Sequence, residues 1–270
     1  MVHFGSDQEQ EGESMNLRFL RCLLLLLSLL TVFWIARRAC FDWTLYQTGH
    51  TFTIQKTNPN GYDSLLRVPK GYHDFSDRWP LLVFLHGAGE VGKDVSVLET
   101  KDPYYYFQQE FPGEPFPFLQ LAPINDTGMW EPWRIAALID ELLSDRFLRF
   151  RIDPHRIYLT GFSQGGFGVF RTASEFPEKF AAIVPVAGGG EPTWAKKFRK
   201  IPIWNFHGEH DTIVPPPSSG LLLRAIEESG NEQLQETILS GAGHGIDREV
   251  YSCADLYEWL QVQHRMRQPP

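Results

Sequence analysis

The chain of 270 residues is long enough for one sizeable domain, and its 43% hydrophobic and 21% charged content is that of a globular protein, not a disordered one. A formal charge of −8 argues against binding a nucleic-acid backbone, which needs clustered cations. Cys22, Cys40 and Cys253 are too few for a disulfide framework and lack zinc-like spacing, so unpaired thiols are favoured over a Cys40–Cys253 bridge.

Residues 1–15 are polar and acidic (Asp7, Glu9, Glu11, Glu13) and read as a disordered tail. Residues 16–38 contain an uncharged, leucine-dominated run from Cys22 to Ala36, bracketed by Arg18 and Arg21 on one side and Arg37 and Arg38 on the other. Counted from Leu17, with the arginines snorkelling, the run reaches a spanning length. Trp34 and Arg37 stand where a cleavable signal needs small side chains, which favours an uncleaved signal anchor. The expectation is a single-pass, membrane-associated protein of the secretory pathway, secreted if the segment is cleaved. Residues 39–50 read as a linker and 51–266 as the folded domain. Asn125-Asp126-Thr127 forms a glycosylation sequon, usable only on a lumenal face.

Within the domain, strand-like and helix-like stretches alternate. Thr51 to Gln55 and Leu65 to Val68 look like an opening pair of strands. Continuous apolar runs follow at Leu81 to Leu85 and Phe118 to Ala122. Between them, Lys101 to Phe118 is rich in proline and aromatics and reads as a loop or small cap. Glu131 to Phe147 places Ile135, Leu138, Ile139, Leu142 and Leu143 on one helical face. Further strands are expected at Arg156 to Thr160, Ala181 to Val186, Ile203 to Phe206 and Glu236 to Leu239, with helices after Ser163, at Ser219 to Glu228 and around Tyr251 to Val262. Continuous apolar strands separated by helices indicate an α/β fold, a mostly parallel sheet covered on both faces. The basic run Lys196, Lys197, Arg199 and Lys200 reads as a solvated face.

Gly161-Phe162-Ser163-Gln164-Gly165 spells G-x-S-x-G between a strand and a helix. A turn this tight lifts the serine hydroxyl above the sheet, and glycines two residues away remove side chains that would collide. A serine needs a general base, and His244, in Gly241-Ala242-Gly243-His244-Gly245 after the last strand, is the candidate among nine histidines. Asp211, at the end of the Ile203 strand, is the candidate to orient it, with Glu209 and Asp247 as rivals. His207 and His210 are read as loop packing, not as metal ligands. Backbone amides of Gln164 and of Gly87 or Ala88, in His86-Gly87-Ala88-Gly89-Glu90, are the candidate oxyanion donors. Trp130 is the candidate pocket residue; Tyr104 to Phe107, Trp133 and Trp194 are weighed for the same role.

These motifs, with Leu81 to Glu90, Arg156 to Gly168, Pro202 to Pro215 and Gly241 to Leu260, make the chain resemble the α/β-hydrolase superfamily. More narrowly it looks like the predicted-peptidase esterases akin to polyhydroxybutyrate depolymerases and feruloyl esterases. The resemblance runs from about Thr51 to Gln263. It implies an α/β-hydrolase fold with Ser163 as nucleophile, Asp211 as acid and His244 as base. Gln164 departs from the family, which commonly has methionine there, and Gly245 stands where a larger polar residue is usual. The expected activity is hydrolysis of a small-molecule carboxylic ester through an acyl-enzyme, with no cofactor and no metal. The alternatives are an amidase or peptidase using the same triad, or a catalytically silent binding scaffold. Oligomeric state is not legible.

Overall fold

The computed structural model describes residues 20, 23–36, 49–56, 60–72, 78–144 and 150–265. The chain divides into two compact units, Met1–Thr44 and Leu45–Pro270. In the first, residues 23–36 are helical (α1), and Leu23 to Leu27 and Leu29 to Leu30 are exposed. Among the described residues, no helix is long and apolar enough to cross a membrane. The anchor expected over 16–38 lies only partly among them: its flanking arginines, the acidic tail, Cys22 and Cys40 lie outside the described residues.

The second unit is built on an eight-stranded sheet among the described residues, in the order β1-β2-β4-β3-β5-β6-β7-β8. β1 (His50–Ile54) and β2 (Ser64–Val68) pair antiparallel at one edge, and β2 pairs antiparallel with β4 (Leu119–Pro123). From there β3 (Trp79–Leu85), β5 (Ile152–Phe162), β6 (Ala182–Val186), β7 (Ile203–Gly208) and β8 (Leu234–Leu239) are all parallel. The parallel strands are apolar on both sides because both sides are covered. Leu81, Val83 and Leu85 enter one core with Ile135, Ile139, Val169, Phe170 and Leu222, from helices α3 (Pro132–Ser144), α4 (Gln164–Glu175) and α5 (Pro217–Glu228). Leu82 and Phe84 enter a second core with Phe107, Val250, Tyr251, Leu256 and Tyr257, from α2 (Pro103–Glu110), α6 (Asp247–Tyr251) and α7 (Ala254–Val262). The period-two alternation of a strand thus feeds two helical layers. Fully burying one such side chain contributes about 1.5–3 kcal/mol, before entropy is charged.

From β3 the chain crosses to β4 on one side, then returns to β5 on the other. The strand order reverses there, opening a crevice at the carboxyl ends of β3 and β5. The two candidate loops, His86–Glu90 and the turn at Ser163, leave those two ends.

Two expectations need correction. The segment 101–118, read as a loop or small cap, is irregular only at its ends, 101–102 and 111–118: α2 starts at Pro103 behind the capping carboxylate of Asp102 and packs into the second core through Phe107. Its proline sits at the first turn, where no intrahelical donor is lost. The sequon asparagine Asn125 is fully buried, accepts from Thr127 N at 3.0 Å and donates to the carbonyl of Gly128, so it is no glycosylation acceptor in the folded domain. The His86–Glu90 loop and the Ser163 turn leave adjacent strands, β3 and β5. The Lys196 to Lys200 face is solvent-exposed, as read.

Candidate active site

The turn after β5 holds Ser163 at φ 56°, ψ −117°, a conformation that a residue with a Cβ rarely adopts. Strain of this kind costs on the order of 1–3 kcal/mol and persists only where the surroundings impose it. Here they do. Ser163 N donates to Val186 O at 2.8 Å, and Phe167 N donates back to Ser163 O at 3.1 Å. A Cβ at Gly161 would lie 2.7 Å from Leu85 O and from Gly165 O; one at Gly166 would lie 2.7 Å from Val186 O. The flanking glycines are a steric requirement of three backbones meeting.

β7 and β8 bring the other two groups to the same edge. Their loops are cross-tied, Glu209 N to Leu239 O at 3.0 Å and His210 N to Ala242 O at 2.8 Å. Gly208 has no room for a side chain, since a Cβ there would sit 2.0 Å from Gly243 O. Asp211 and His244, thirty-three residues apart, therefore meet: His244 Nδ1 lies 2.7 Å from Asp211 Oδ2. On its other side, His244 Nε2 lies 2.8 Å from Ser163 Oγ. The Phe162 ring packs on the imidazole at 5.1 Å between centroids.

The charge state of Asp211 fixes the direction of these bonds. Burial opposes its ionisation, but hydrogen bonds from His244 and from the backbone N–H groups of Val214 and Ile213, both at 2.9 Å, outweigh it and hold the carboxyl below the usual range. An ionised carboxylate only accepts, so His244 carries its proton on Nδ1 and offers a bare Nε2 to the serine hydroxyl. The arrangement can draw the proton from Ser163 as its oxygen attacks.

Of the rival acids, neither reaches His244. Glu209 instead accepts from Gly241 N at 2.8 Å and Ser240 Oγ at 2.9 Å, which keep its carboxyl below the ordinary range. Asp247 accepts from Tyr106 Oη at 2.9 Å. His207 is fully buried, bridging Val214 O at 2.7 Å and Ser219 Oγ at 3.1 Å; His210 faces solvent. Among the described residues no cluster of His, Cys, Asp and Glu could hold a metal ion.

Gln164 is the first residue of α4, so its N–H has no partner within the helix and stands at the positive end of the helix dipole. Across the crevice, a Cβ at Gly87 would lie 3.5 Å from Ser163 Cβ, so the Gly87–Ala88 backbone passes next to the serine. His86 sets its orientation. Asn125 N donates to His86 Nε2 at 2.9 Å, so Nδ1 carries the proton and donates to Gly87 O at 2.7 Å. Across a planar trans peptide, the Ala88 N–H then points away from the His86 ring.

A cavity of about 340 Å³ adjoins the first turns of α4, lined by Met129, Phe167, Arg171, Glu191 and Trp194 among others. Met129 reaches the nucleophile's neighbour: Gln164 Nε2 lies 3.7 Å from its sulfur. Trp130 contributes to this wall but is itself buried, donating to His86 O at 3.1 Å and packing on Tyr62 and His86, so it belongs to the floor. Trp194 lines the cavity; Trp133 is exposed on α3, and Tyr104 to Phe107 belong to α2. Phe167 and Arg171 went unremarked in the sequence. Their spacing of four and eight residues after Ser163 on one helix was the available signal.

Residues 132–264 match the Phospholipase/Carboxylesterase family. A solved structure of a thermostable esterase is 29% identical, with a TM-score of 0.65 over 82% of this chain and 64% of that one. A probable feruloyl esterase C from Aspergillus terreus is 27% identical over 61% of this chain and 60% of its own length. Poly(3-hydroxyalkanoate) depolymerase C from Paucimonas lemoignei is 29% identical over 49% of this chain and 33% of its own. The chain spans less than two thirds of the length of the curated relatives it matches. The resemblance carried by the motifs therefore holds: the chain has the α/β-hydrolase fold and resembles hydrolases of the esterase type.

Proposed function

We propose that this esterase-type α/β-hydrolase is a serine carboxylesterase acting through an acyl-enzyme. Ser163 Oγ attacks the ester carbonyl as His244 Nε2 takes its proton. Asp211 holds the imidazole in one tautomer and stabilises the imidazolium. The N–H groups of Gln164 and of the Gly87–Ala88 segment bind the oxygen that becomes negative in the tetrahedral intermediate, where such donors act most strongly. His244 returns its proton to the departing alcohol, and the ester oxygen leaves. Water, deprotonated by the same nitrogen, then releases the acid. The cavity beside α4, with Phe167 and Trp194 in its wall, is large enough for a ring or a short acyl chain.

The observation that carries this reading is the unbroken hydrogen-bonded line from Ser163 through His244 to Asp211, at 2.8 and 2.7 Å, on a strained strand-to-helix turn. Labelling by a fluorophosphonate probe, with Ser163→Ala as control, tests it. The probe is expected on Ser163 alone, and turnover of p-nitrophenyl esters should fall at least about 10³-fold in Ser163→Ala. A folded protein that neither takes the probe nor loses turnover on that substitution would sink the reading. Membrane attachment through the N-terminal segment is part of the proposal. It is supported by the exposed leucines of α1, and carbonate extraction that frees the full chain would exclude it.

A further inference from the structure

We propose that Tyr106 is a positioning residue for hydrolysis: through Asp247 it holds the loop carrying His244 in register with Ser163. The inference rests on the reading of His244 as the base.

The need for such a support follows from the loop itself. His244 must keep Nε2 2.8 Å from Ser163 Oγ, yet glycines occupy positions 241, 243 and 245 around it. Glycine backbone has the widest conformational choice, and a Cβ at any of these three positions would meet nothing within 4 Å. Backbone packing confines the loop only as far as Gly243, whose carbonyl abuts Gly208. Beyond it, the restraint on His244 has to come from the exit.

At the entry, Glu209 accepts from Gly241 N and Ser240 Oγ, and Ala242 O accepts from His210 N. At the exit, Ile246 N donates to His244 O at 2.9 Å, and the chain runs straight into α6, a helix of five residues. One turn and a half is too short to hold itself, and the residue before it, Ile246, offers no side-chain cap. Asp247, the first residue of α6, is gripped from outside: Tyr106 Oη donates to its Oδ2 at 2.9 Å from 141 residues away.

Tyr106 is suited to that task because its own helix is fixed. Asp102 caps α2 and is buried with Arg67 of β2, Nε to Oδ2 at 2.7 Å; Gln120 of β4 accepts from Tyr104 N at 2.8 Å; Tyr257 donates to Pro103 O at 3.3 Å. The phenol therefore stands on the sheet, not on a free loop. Burial first, then the neighbouring Asp247 carboxylate, push its ionisation well above the ordinary range, so the donor stays protonated at any working pH. The same segment also reaches the opposite loop, where Lys101 Nζ lies 2.7 Å from Glu90 Oε1. One short stretch thus leans on both loops that frame Ser163.

The experiment uses the full chain with p-nitrophenyl acetate and four variants. Tyr106→Phe keeps the ring and removes the hydroxyl. It should lower kcat about 5- to 20-fold while KM stays within about twofold, because a small displacement of a base costs rate without touching binding. The rate of fluorophosphonate labelling of Ser163 should fall in parallel. Asp247→Asn keeps an acceptor oxygen and should retain kcat within about threefold. Asp247→Leu should match Tyr106→Phe, and the two combined should be no worse than either alone, as expected of partners in one contact. The proposal is overturned if Tyr106→Phe leaves kcat within twofold, if the loss lies in KM alone, or if the two losses multiply. Should Tyr106→Phe fail to fold, the contrast between Asp247→Asn and Asp247→Leu decides. A wild-type chain without esterase activity or probe labelling would bring down the hydrolase reading; an active wild type with indifferent variants brings down only this one.

Discussion

Replacing Gly165 by alanine adds a single methyl group at the most crowded point of the fold. Its Cβ would sit 1.9 Å from Leu85 O, 2.6 Å from Leu85 C and 2.9 Å from His86 O, where ordinary contact begins near 3.4 Å. All three obstacles are backbone atoms, so no side chain can swing aside. The amino end of α4 and the carboxyl end of β3 must separate by at least about 1 Å. Overpacking of this kind costs on the order of 1–3 kcal/mol. The displacement also falls on the reacting geometry, because Leu85 and His86 lead into the Gly87–Ala88 backbone and Gly165 lies two residues after Ser163. A misplacement of 1 Å between reacting groups can cost about 10²-fold in rate, equivalent to roughly 2.7 kcal/mol of barrier. Gly165→Ala should therefore lower kcat/KM for p-nitrophenyl acetate about 100-fold and shift the urea midpoint downward. A folded variant within fivefold of wild-type activity and with an unchanged midpoint would refute the claim that β3 and α4 are held at backbone contact.

Gly220 supplies the opposite case. It lies in α5, a Cβ there would meet nothing within 4 Å, and Gly220→Ala should stabilise the fold by about 0.5–1 kcal/mol in urea unfolding with turnover unchanged. The buried imidazole of His86 gives a pH dependence. Burial holds it below its ordinary value of 6.5, against the smaller upward pull of its bond to Gly87 O. The unfolded chain then takes up the proton first, so stability is complete above pH 6.5 and is lost as pH falls towards the folded value, by up to about 1.4 kcal/mol per pH unit. Urea unfolding at pH 7.5 and 5.5 should show a smaller loss in His86→Gln than in wild type; equal losses would remove His86 as the cause.

Much of this was legible along the chain because parallel strands buried on both faces write themselves as unbroken apolar runs. Leu81 to Leu85 and Ala181 to Val186 could hardly be anything else. The chain order of Ser163, Asp211 and His244 followed from the loops that such strands must end in, and the structure brings those three side chains together. The helix at Pro103 was missed although an Asp-Pro start was present, because prolines at 112, 115 and 117 and four consecutive aromatics suggested irregular backbone. What makes that stretch a helix is docking of Phe107 against Tyr257 and Phe116, which no local pattern records. Trp130, the candidate pocket residue, lies in the floor because its indole N–H finds His86 O and draws the ring inward. The supports of the histidine loop, Glu209 and Tyr106, act across 32 and 141 residues and leave no spacing to read.

The glycines divide the site into a stiff part and a soft part. At Gly161, Gly165, Gly166, Gly188 and Gly208 a Cβ would fall between 1.9 and 2.7 Å from a backbone atom of a neighbouring segment. These positions ring the carboxyl ends of β3, β5, β6 and β7, so Ser163 and the oxyanion backbone stand on main chain packed closer than side chains permit. Asp211 is tied down by two amide hydrogen bonds of its own loop. The backbone before His244 is held too, the Gly243 carbonyl lying against Gly208, whereas Gly245 after it has open space around it. The exit side of the histidine loop is the softer coordinate of the site, and a rate set by the distance from Nε2 to Oγ should depend on whatever grips that exit. This makes the Tyr106 hydroxyl, which reaches His244 only through Asp247 and does not line the cavity, a more sensitive lever on kcat than the aromatic residues that do.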